Sequence, residues 1–281
     1  VTMAVEGEAP GAPRGIDSRR PNAARVYDWL VGGNAADPVD IEFGEQLLKT
    51  FPLTRAGAVM NRQWLWRAVD AALAAGIRQF VDLGSGLPTA GAVHDRVRAA
   101  GVEGGRVLYV DYEAVARAHI EDKLLSDEVD DWCGGAQVDI RDPDLLFAHP
   151  ETRRLIDWDE PVCVLMVAVL HFIGDETDIP ALLRRYRDRM APGSWHAISY
   201  LSSVDDEEPE QAATLRRLWA AYDDTPNPVF VRDRSEIETW FEGLRMIPPG
   251  LVHLPQWGDV ELTPELDTIK RVGWAGVGEI R

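Results

Sequence analysis

Pro161 to Leu170 is the longest apolar run in the chain, and its centre, Val162-Cys-Val-Leu-Met-Val-Ala-Val169, leaves few architectures open. Crossing a bilayer takes roughly 20 apolar residues, so the run is too short for that. Rich in β-branched residues and without polar alternation, it reads as a strand buried on both faces. That is the situation of a central strand in a parallel sheet with helices packed on either side. Its surroundings agree. Residues 79–83, 106–110, 136–139 and 195–200 read as further strands, and residues 94–100, 114–125 and 179–190 as the helices between them. Alternation of this kind predicts a doubly wound α/β fold. Residues 244–247 and 274–280 are two last, short strand candidates.

Upstream the pattern is helical. Residues 1–20 carry Gly, Pro and Arg without periodicity and read as a disordered arm. Pro21 suits a first turn, followed by a helix to Val31 that Gly32-Gly33-Asn34 stops. Further helices are expected over 39–49 and 56–75, the latter with Val59, Leu65, Val69 and Leu73 near helical spacing and Gly76 as its C-terminal cap. In the last third, an acidic opening at Asp205 leads into a helix through Ala221. Ser235 with Glu238 three residues on predicts a capping box. With 281 residues, one large domain over 21–281 is expected: a helical cap at 21–76 and the α/β core at 77–281.

The segment Val81-Asp82-Leu83-Gly84-Ser85-Gly86-Leu87-Pro88-Thr89 carries most of the chemistry. A strand ends, Gly84 and Gly86 let the backbone turn tightly, and a ligand can approach Ser85 and its neighbours closely. A nicotinamide dinucleotide fits poorly. The third glycine of its fingerprint falls on Thr89, and Pro88 offers no N–H at the helix start where a pyrophosphate would sit. S-adenosylmethionine fits better, because it has no phosphate and presents an α-ammonium group that Asp82 can receive. The plain alternative for Asp82 is a turn cap.

Two more strand ends are acidic. Asp111, after Arg106–Val110, stands where a ribose diol accepts bonds to a carboxylate, although a helix cap has the same look. Tyr112 can flank the adenine. Asp139 can accept from the adenine amino group while Ile140 packs on the ring; Asp142 before Pro143 is read as an N-cap. At the end of the fourth strand, Ala168 and Val169 leave room for a ligand, with His171 at the mouth. His171 is the candidate general base, set against the commoner packing role. The ten tryptophans serve an aromatic pocket or, more commonly, the core.

With these residues in view, the chain resembles a bacterial family of class I, Rossmann-like methyltransferases whose substrates are mostly unassigned. The match is carried by Ala24-Arg-Val-Tyr-Asp-Trp-Leu-Val-Gly-Gly-Asn34, Asn61-Arg62, Asp82 to Thr89 and Tyr109-Val-Asp111. It continues through Asp139-Ile-Arg-Asp-Pro143, Val167-Ala-Val-Leu-His-Phe172, Ala191-Pro-Gly193 and Gly276-Val-Gly278. The resemblance implies a seven-stranded sheet with the last strand antiparallel and S-adenosylmethionine as cofactor over the strand ends. It also implies that Tyr27, Gly32 and Gly33 fold over the cofactor as a lid. Arg62 can then pair with the methionine carboxylate in bidentate fashion. Where that family is expected to have serine-histidine after the fifth strand, this chain has Ser199-Tyr200.

The composition constrains partners. With 29 Lys+Arg against 47 Asp+Glu the net charge is −18, which repels phosphate backbones, so a small-molecule acceptor is expected and nucleic acid is not. No apolar segment with a basic flank marks a secretory signal, and a cytoplasmic, non-membrane protein is expected. Cys163 reads as buried, Cys133 as part of a polar loop, and two cysteines do not make a zinc site; no metal is expected. Two other functions remain open at this stage: a non-catalytic protein that binds S-adenosylmethionine or S-adenosylhomocysteine, and an NAD(P)-dependent oxidoreductase.

Overall fold

The computed structural model describes residues 19–87, 91–203, 209–258 and 260–281. The expected arm lies almost wholly outside them, as do Pro88, Thr89 and the acidic opening at Asp205.

The strands are β1 (Gln79–Leu83), β2 (Arg106–Asp111), β3 (Cys133–Gln137), β4 (Val162–Val167), β5 (Trp195–Leu201), β6 (Arg245–Met246), β7 (Val252–His253) and β8 (Gly273–Glu279). They form one sheet in the order β3-β2-β1-β4-β5-β8-β6, with β7 paired to β8 off this path. β1 to β5 are mutually parallel, and β8 runs antiparallel to β5. The seven-stranded path is as expected; the two-residue β7 is an addition. Strand order reverses between β1 and β4: the chain leaves β1 toward β2 on one side and β4 toward β5 on the other, and such a switch point opens a crevice.

Both faces of the sheet are buried, which explains the unbroken apolar runs. Phe80, Val107, Tyr109, Cys163 and Leu165 face one core, and Val81, Leu83, Leu108, Val110, Val164 and Met166 face the other. By the same alternation Asp82 shares the Phe80 face. That face is covered by the N-terminal cap: α1 (Ala23–Leu30), α2 (Pro38–Thr50) and α3 (Thr54–Ala74). In α3, Trp64, Leu65, Ala68, Val69 and Ala72 are buried. Gly76, at φ +95, follows its last residues as expected.

The cap is fixed by a buried ion pair. Arg25 Nε lies 2.5 Å from Asp40 Oδ2, and Asp40 also accepts the backbone N–H groups of Asn22 and Asp37 at 2.8 Å each. Pro21 precedes the helix rather than opening it, because Asn22 takes the N-cap and accepts from Arg25 N.

The remaining helices are α4 (Val93–Ala99), α5 (Ala114–Ser126), α6 (Pro143–Ala148), α7 (Pro150–Leu155), α8 (Ile179–Arg187), α9 (Pro209–Ala220), α10 (Arg234–Thr239) and α11 (Pro264–Asp267). Asp142 caps α6 as expected, accepting from Leu145 N. α10 starts one residue before Ser235, with Asp233 rather than Ser235 as N-cap. The third strand also corrects the sequence reading. It spans Cys133–Gln137, so Cys133 is buried in the sheet and Asp139 lies beyond the strand. Gly134 and Gly135 disguise it. A Cβ there would come within 2.8 Å of Leu155 Cδ1 and 2.9 Å of Ile120 Cγ2, so α7 and α5 pack on bare backbone. No helix among the described residues is long and apolar enough to cross a membrane.

Candidate functional site

A cavity of about 560 Å³ opens over the carboxyl ends of β1, β2, β4 and β5, roofed by α1, α3, α9 and the segment 226–230. It is built outward from the glycine turn. Gly84 N and Ser85 N both bond to Val110 O, at 2.8 and 3.0 Å, which folds the turn back over β2. Gly84 has φ +69, and a Cβ on it would stand 2.2 Å from Val169 Cγ2. Only glycine satisfies both conditions.

Two buried carboxylates flank this turn. Asp111 accepts Gly86 N–H at 2.9 Å and Glu113 N–H at 3.0 Å. Burial pushes its carboxyl up to about 6, against the pull of those two N–H groups. Asp82 is pushed up to about 7, chiefly by burial, with the nearby Arg62 opposing and Asp111 adding to the rise. Arg62 lies buried with Nε unpartnered among the described residues, its guanidinium carbon 5.4 Å from the Tyr27 ring centroid. A buried carboxyl and a buried guanidinium, with no hydrogen bond to either among the described residues, suit a ligand end that carries both an ammonium and a carboxylate.

The lid is built differently from expectation. Tyr27 lines the cavity, but Gly32 and Gly33 do not. They end α1: Gly33 N bonds to Asp28 O at 2.8 Å, and a Cβ on Gly33 would strike the Asp28 carboxylate at 2.0 Å. The carbonyls of Trp29 and Leu30 are taken by Arg55 at 2.8 and 3.0 Å, so this end of α1 is fixed against α3.

At the adenine side the expected residues meet, with one change. Tyr112, 53% exposed, accepts from Asn227 Nδ2 at 2.8 Å, and Ile140 is buried beside the cavity. Asp139 also lines it, but its carboxylate already accepts from Arg141 N, Nε and Nη2 at 2.9, 3.0 and 2.6 Å. Burial tends to raise its carboxyl, and the Arg141 bonds outweigh this and hold it below the usual range. Asp139 is therefore occupied by its own neighbour. Thr89 falls outside the described residues.

Ala168 and Val169 line the cavity as expected, and Ala168 has φ +53, a strained value for a residue with a side chain. A chain of bonds holds it there. Ala168 N donates to Ser199 Oγ at 3.0 Å, Ser199 Oγ donates to Asn61 Oδ1 at 2.7 Å, and Asn61 Nδ2 donates to Tyr27 OH at 3.0 Å. Tyr27 OH in turn donates to Ala58 O at 3.1 Å. Ser199 and Asn61 thus link the strand ends to the cap. Sequence reasoning gave neither a role, although both stood in motifs it had singled out.

His171 sits in the single turn Leu170–Phe172, 5% exposed, with Nδ1 buried and unpartnered among the described residues. Burial, reinforced by the Arg232 charge, pushes the imidazole down to about 3, so it is neutral. Tyr200 lies 5.9 Å away between ring centroids; its OH donates to Phe230 O and accepts from Arg232 Nη1 at 3.0 Å. The segment that carries Trp219, Tyr222 and Phe230 completes the wall.

Comparison with known proteins agrees with this geometry. No curated protein matches the chain. Among solved structures, a Thermobifida fusca YX protein with a proposed methyltransferase role is 30% identical, with a TM-score of 0.86 over 97% of this chain and 100% of that one. A DUF574 family protein from Streptomyces avermitilis MA-4680 is 29% identical, with a TM-score of 0.84 over 94% and 99%. The family model for S-adenosyl methyltransferases matches residues 9–281. The chain belongs to the S-adenosyl methyltransferase family and is an S-adenosylmethionine-dependent methyltransferase.

Proposed function

We propose that the cavity binds S-adenosylmethionine over the ends of β1, β2 and β4 and transfers its methyl group to a small-molecule acceptor seated beside His171 and Tyr200. The observation that carries this reading is the pair Asp82 and Asp111, two buried carboxylates at one glycine turn, both pushed up because nothing of opposite charge fully compensates them. Asp82 receives the α-ammonium group, Arg62 the methionine carboxylate, and Asp111 the ribose hydroxyls. Gly84, Ser85 and Gly86 bring the backbone close, Ala168 and Val169 bound the crevice, and Tyr112 and Ile140 flank the adenine. Asp139 acts through Arg141 rather than on the adenine directly.

S-adenosylmethionine, when bound, supplies a methyl group already activated on a sulfonium. The protein's work is to orient the acceptor and keep water out. His171, neutral and with Nδ1 enclosed, can accept the acceptor's hydroxyl hydrogen bond at Nε2; as a weak base it takes the proton only as the methyl–oxygen bond forms and the oxygen turns acidic. Tyr200 is pushed up to about 12 by burial and stays a phenol, so it positions rather than deprotonates. The net charge of −18 supports a small molecule over nucleic acid.

The test is calorimetric titration with S-adenosylmethionine, S-adenosylhomocysteine and NADH, repeated on Asp111→Ala. Binding of the first two and its loss in the variant is the expected result. Binding of NADH alone, or unchanged binding in Asp111→Ala, would overturn the site assignment.

A further inference from the structure

The cavity has two unlike halves. Its charged lining residues come from the ends of β1, β2 and β3, from Glu176 at the rim, and from Arg62, whose charge acts on Asp82. The other half, between α3, α9, the 226–230 segment and the ends of β5 and β8, has no charged lining residue among those described. Phe51, Leu215, Leu218, Trp219, Tyr222 and Leu254 form much of it.

Rings run along this half in series. Tyr222 stands 6.4 Å from Phe172, Phe172 4.3 Å from His171, and His171 5.9 Å from Tyr200, centroid to centroid. These separations are those of contacting aromatic pairs, and the row gives edges and faces for another ring to join. Its polar groups are uncharged. Besides the neutral His171, there is the Tyr222 phenol, which burial pushes up and to which no described residue hydrogen-bonds. The nearest charge, Arg232 behind Tyr200, is already paired with Asp175 at 2.9 Å and Glu236 at 2.8 Å, so a carboxylate, phosphate or ammonium entering here would lose its water without gaining an unpaired opposite charge.

We infer that the acceptor is an uncharged aromatic small molecule bearing a hydroxyl group, its ring held along the Trp219, Tyr222 and Phe172 wall and its hydroxyl turned toward His171. This rests on the cofactor assignment proposed above, which gives the charged half to S-adenosylmethionine. A phenol suits the site because it is neutral near pH 7, whereas an aliphatic amine or a carboxylic acid arrives charged.

The test is calorimetric titration of 1-naphthol, 1-naphthoate, 1-naphthylmethylammonium and decanol into the protein, with and without saturating S-adenosylhomocysteine. Naphthol is expected to bind the loaded protein about tenfold or more tighter than either charged analogue or decanol. Trp219→Ala and Tyr222→Ala should each weaken naphthol about fivefold or more, and Tyr222→Phe, which keeps the ring, about twofold or less. Unchanged S-adenosylhomocysteine affinity in these variants shows that they are folded. The inference is overturned if naphthol does not bind, if a charged analogue or decanol matches it, or if both ring deletions leave its affinity intact. The two readings fail separately. Absence of S-adenosylhomocysteine binding removes the cofactor assignment, while normal binding of it with the wrong acceptor preference removes only the aromatic one.

Discussion

The Asp111 carboxylate accepts the Gly86 backbone N–H at 2.9 Å, tying the end of β2 to the turn that leaves β1. The Glu113 N–H holds the other oxygen at 3.0 Å, so the carboxylate is oriented before any ligand arrives. Asp111→Ala removes the charge and strands two backbone donors. S-adenosylhomocysteine affinity should fall about 10- to 150-fold, the equivalent of about 1.5–3 kcal/mol for bonds to a charged group. Asp111→Asn, which keeps an acceptor oxygen, should lose less. Calorimetry on the two variants decides it, and an alanine variant that binds like wild type would take Asp111 out of the site.

Gly84 and Val169 are coupled by contact. A Cβ at 2.2 Å from Val169 Cγ2, on a residue at φ +69, combines a clash with an unfavourable backbone conformation. Gly84→Ala should destabilise the protein by about 2–4 kcal/mol and weaken the cofactor, since Val169 is pushed into the crevice. Adding Val169→Ala should recover part of the stability but not the backbone strain. A double-mutant cycle in thermal unfolding measures this, and strict additivity would mean the turn relaxes some other way.

The strand ends Asp82 and Asp111 were legible because apolar β-runs announce where strands stop and a glycine turn announces where a ligand can approach. β1 was read to the residue. β3 was displaced because Gly134 and Gly135, forced by the close approach of α5 and α7, look like loop when helix packing is invisible. Asp139 lines the cavity as expected, but its bonds to Arg141, two residues on, are visible only in the fold. The resemblance placed Gly32 and Gly33 over the cofactor, where the structure uses them to end α1. The long-range links, such as Ser199 to Asn61, join segments far apart in the chain and left no periodic trace. The oxidoreductase alternative falls with the family match, as the missing third glycine already suggested.

Ligand affinity should depend on pH through Asp82. Its carboxyl is raised to about 7, so below that pH the site must give up a proton to receive an ammonium. Affinity for S-adenosylhomocysteine should rise about tenfold per pH unit from about pH 5 to 7, then level off. Stability of the ligand-free protein should move the opposite way. The folded state holds a proton that the unfolded chain releases near 3.8, so stability falls as pH rises toward 7. Asp82→Asn should flatten both curves and raise ligand-free stability at pH 8 by about 1–3 kcal/mol, at the expense of binding. A variant that keeps the wild-type pH profile would assign the titration to another group.

The cap depends on Arg25 and Asp40. Asp40 is fully enclosed and accepts from three residues, Arg25, Asn22 and Asp37, so Asp40→Ala strands two backbone N–H groups and leaves the buried Arg25 guanidinium only Arg20 O at 3.3 Å and the Asp37 carboxylate at 3.7 Å. Destabilisation of about 3–5 kcal/mol is expected, as for a buried pair broken on one side. Because α1 carries Tyr27 into the cavity, cofactor affinity should fall as well. Chemical denaturation with parallel titration separates the two effects, and a stable variant with weakened binding would show that the cap moves as a unit.

His171 can serve as proton acceptor only as a neutral base, because burial and Arg232 push its imidazole down to about 3. Turnover should therefore show no inflection near the ordinary imidazole value, and Asp82 should govern the acid limb through binding. His171→Ala should lower the single-turnover rate about 10²- to 10⁴-fold while S-adenosylhomocysteine affinity holds within about threefold. His171→Gln, similar in reach but unable to take the proton, should be as slow. The measurement is S-adenosylhomocysteine release with the best-binding phenol as acceptor. If the glutamine variant turns over like wild type, the imidazole only packs against Phe172 and Tyr200, and the acceptor proton leaves by way of water.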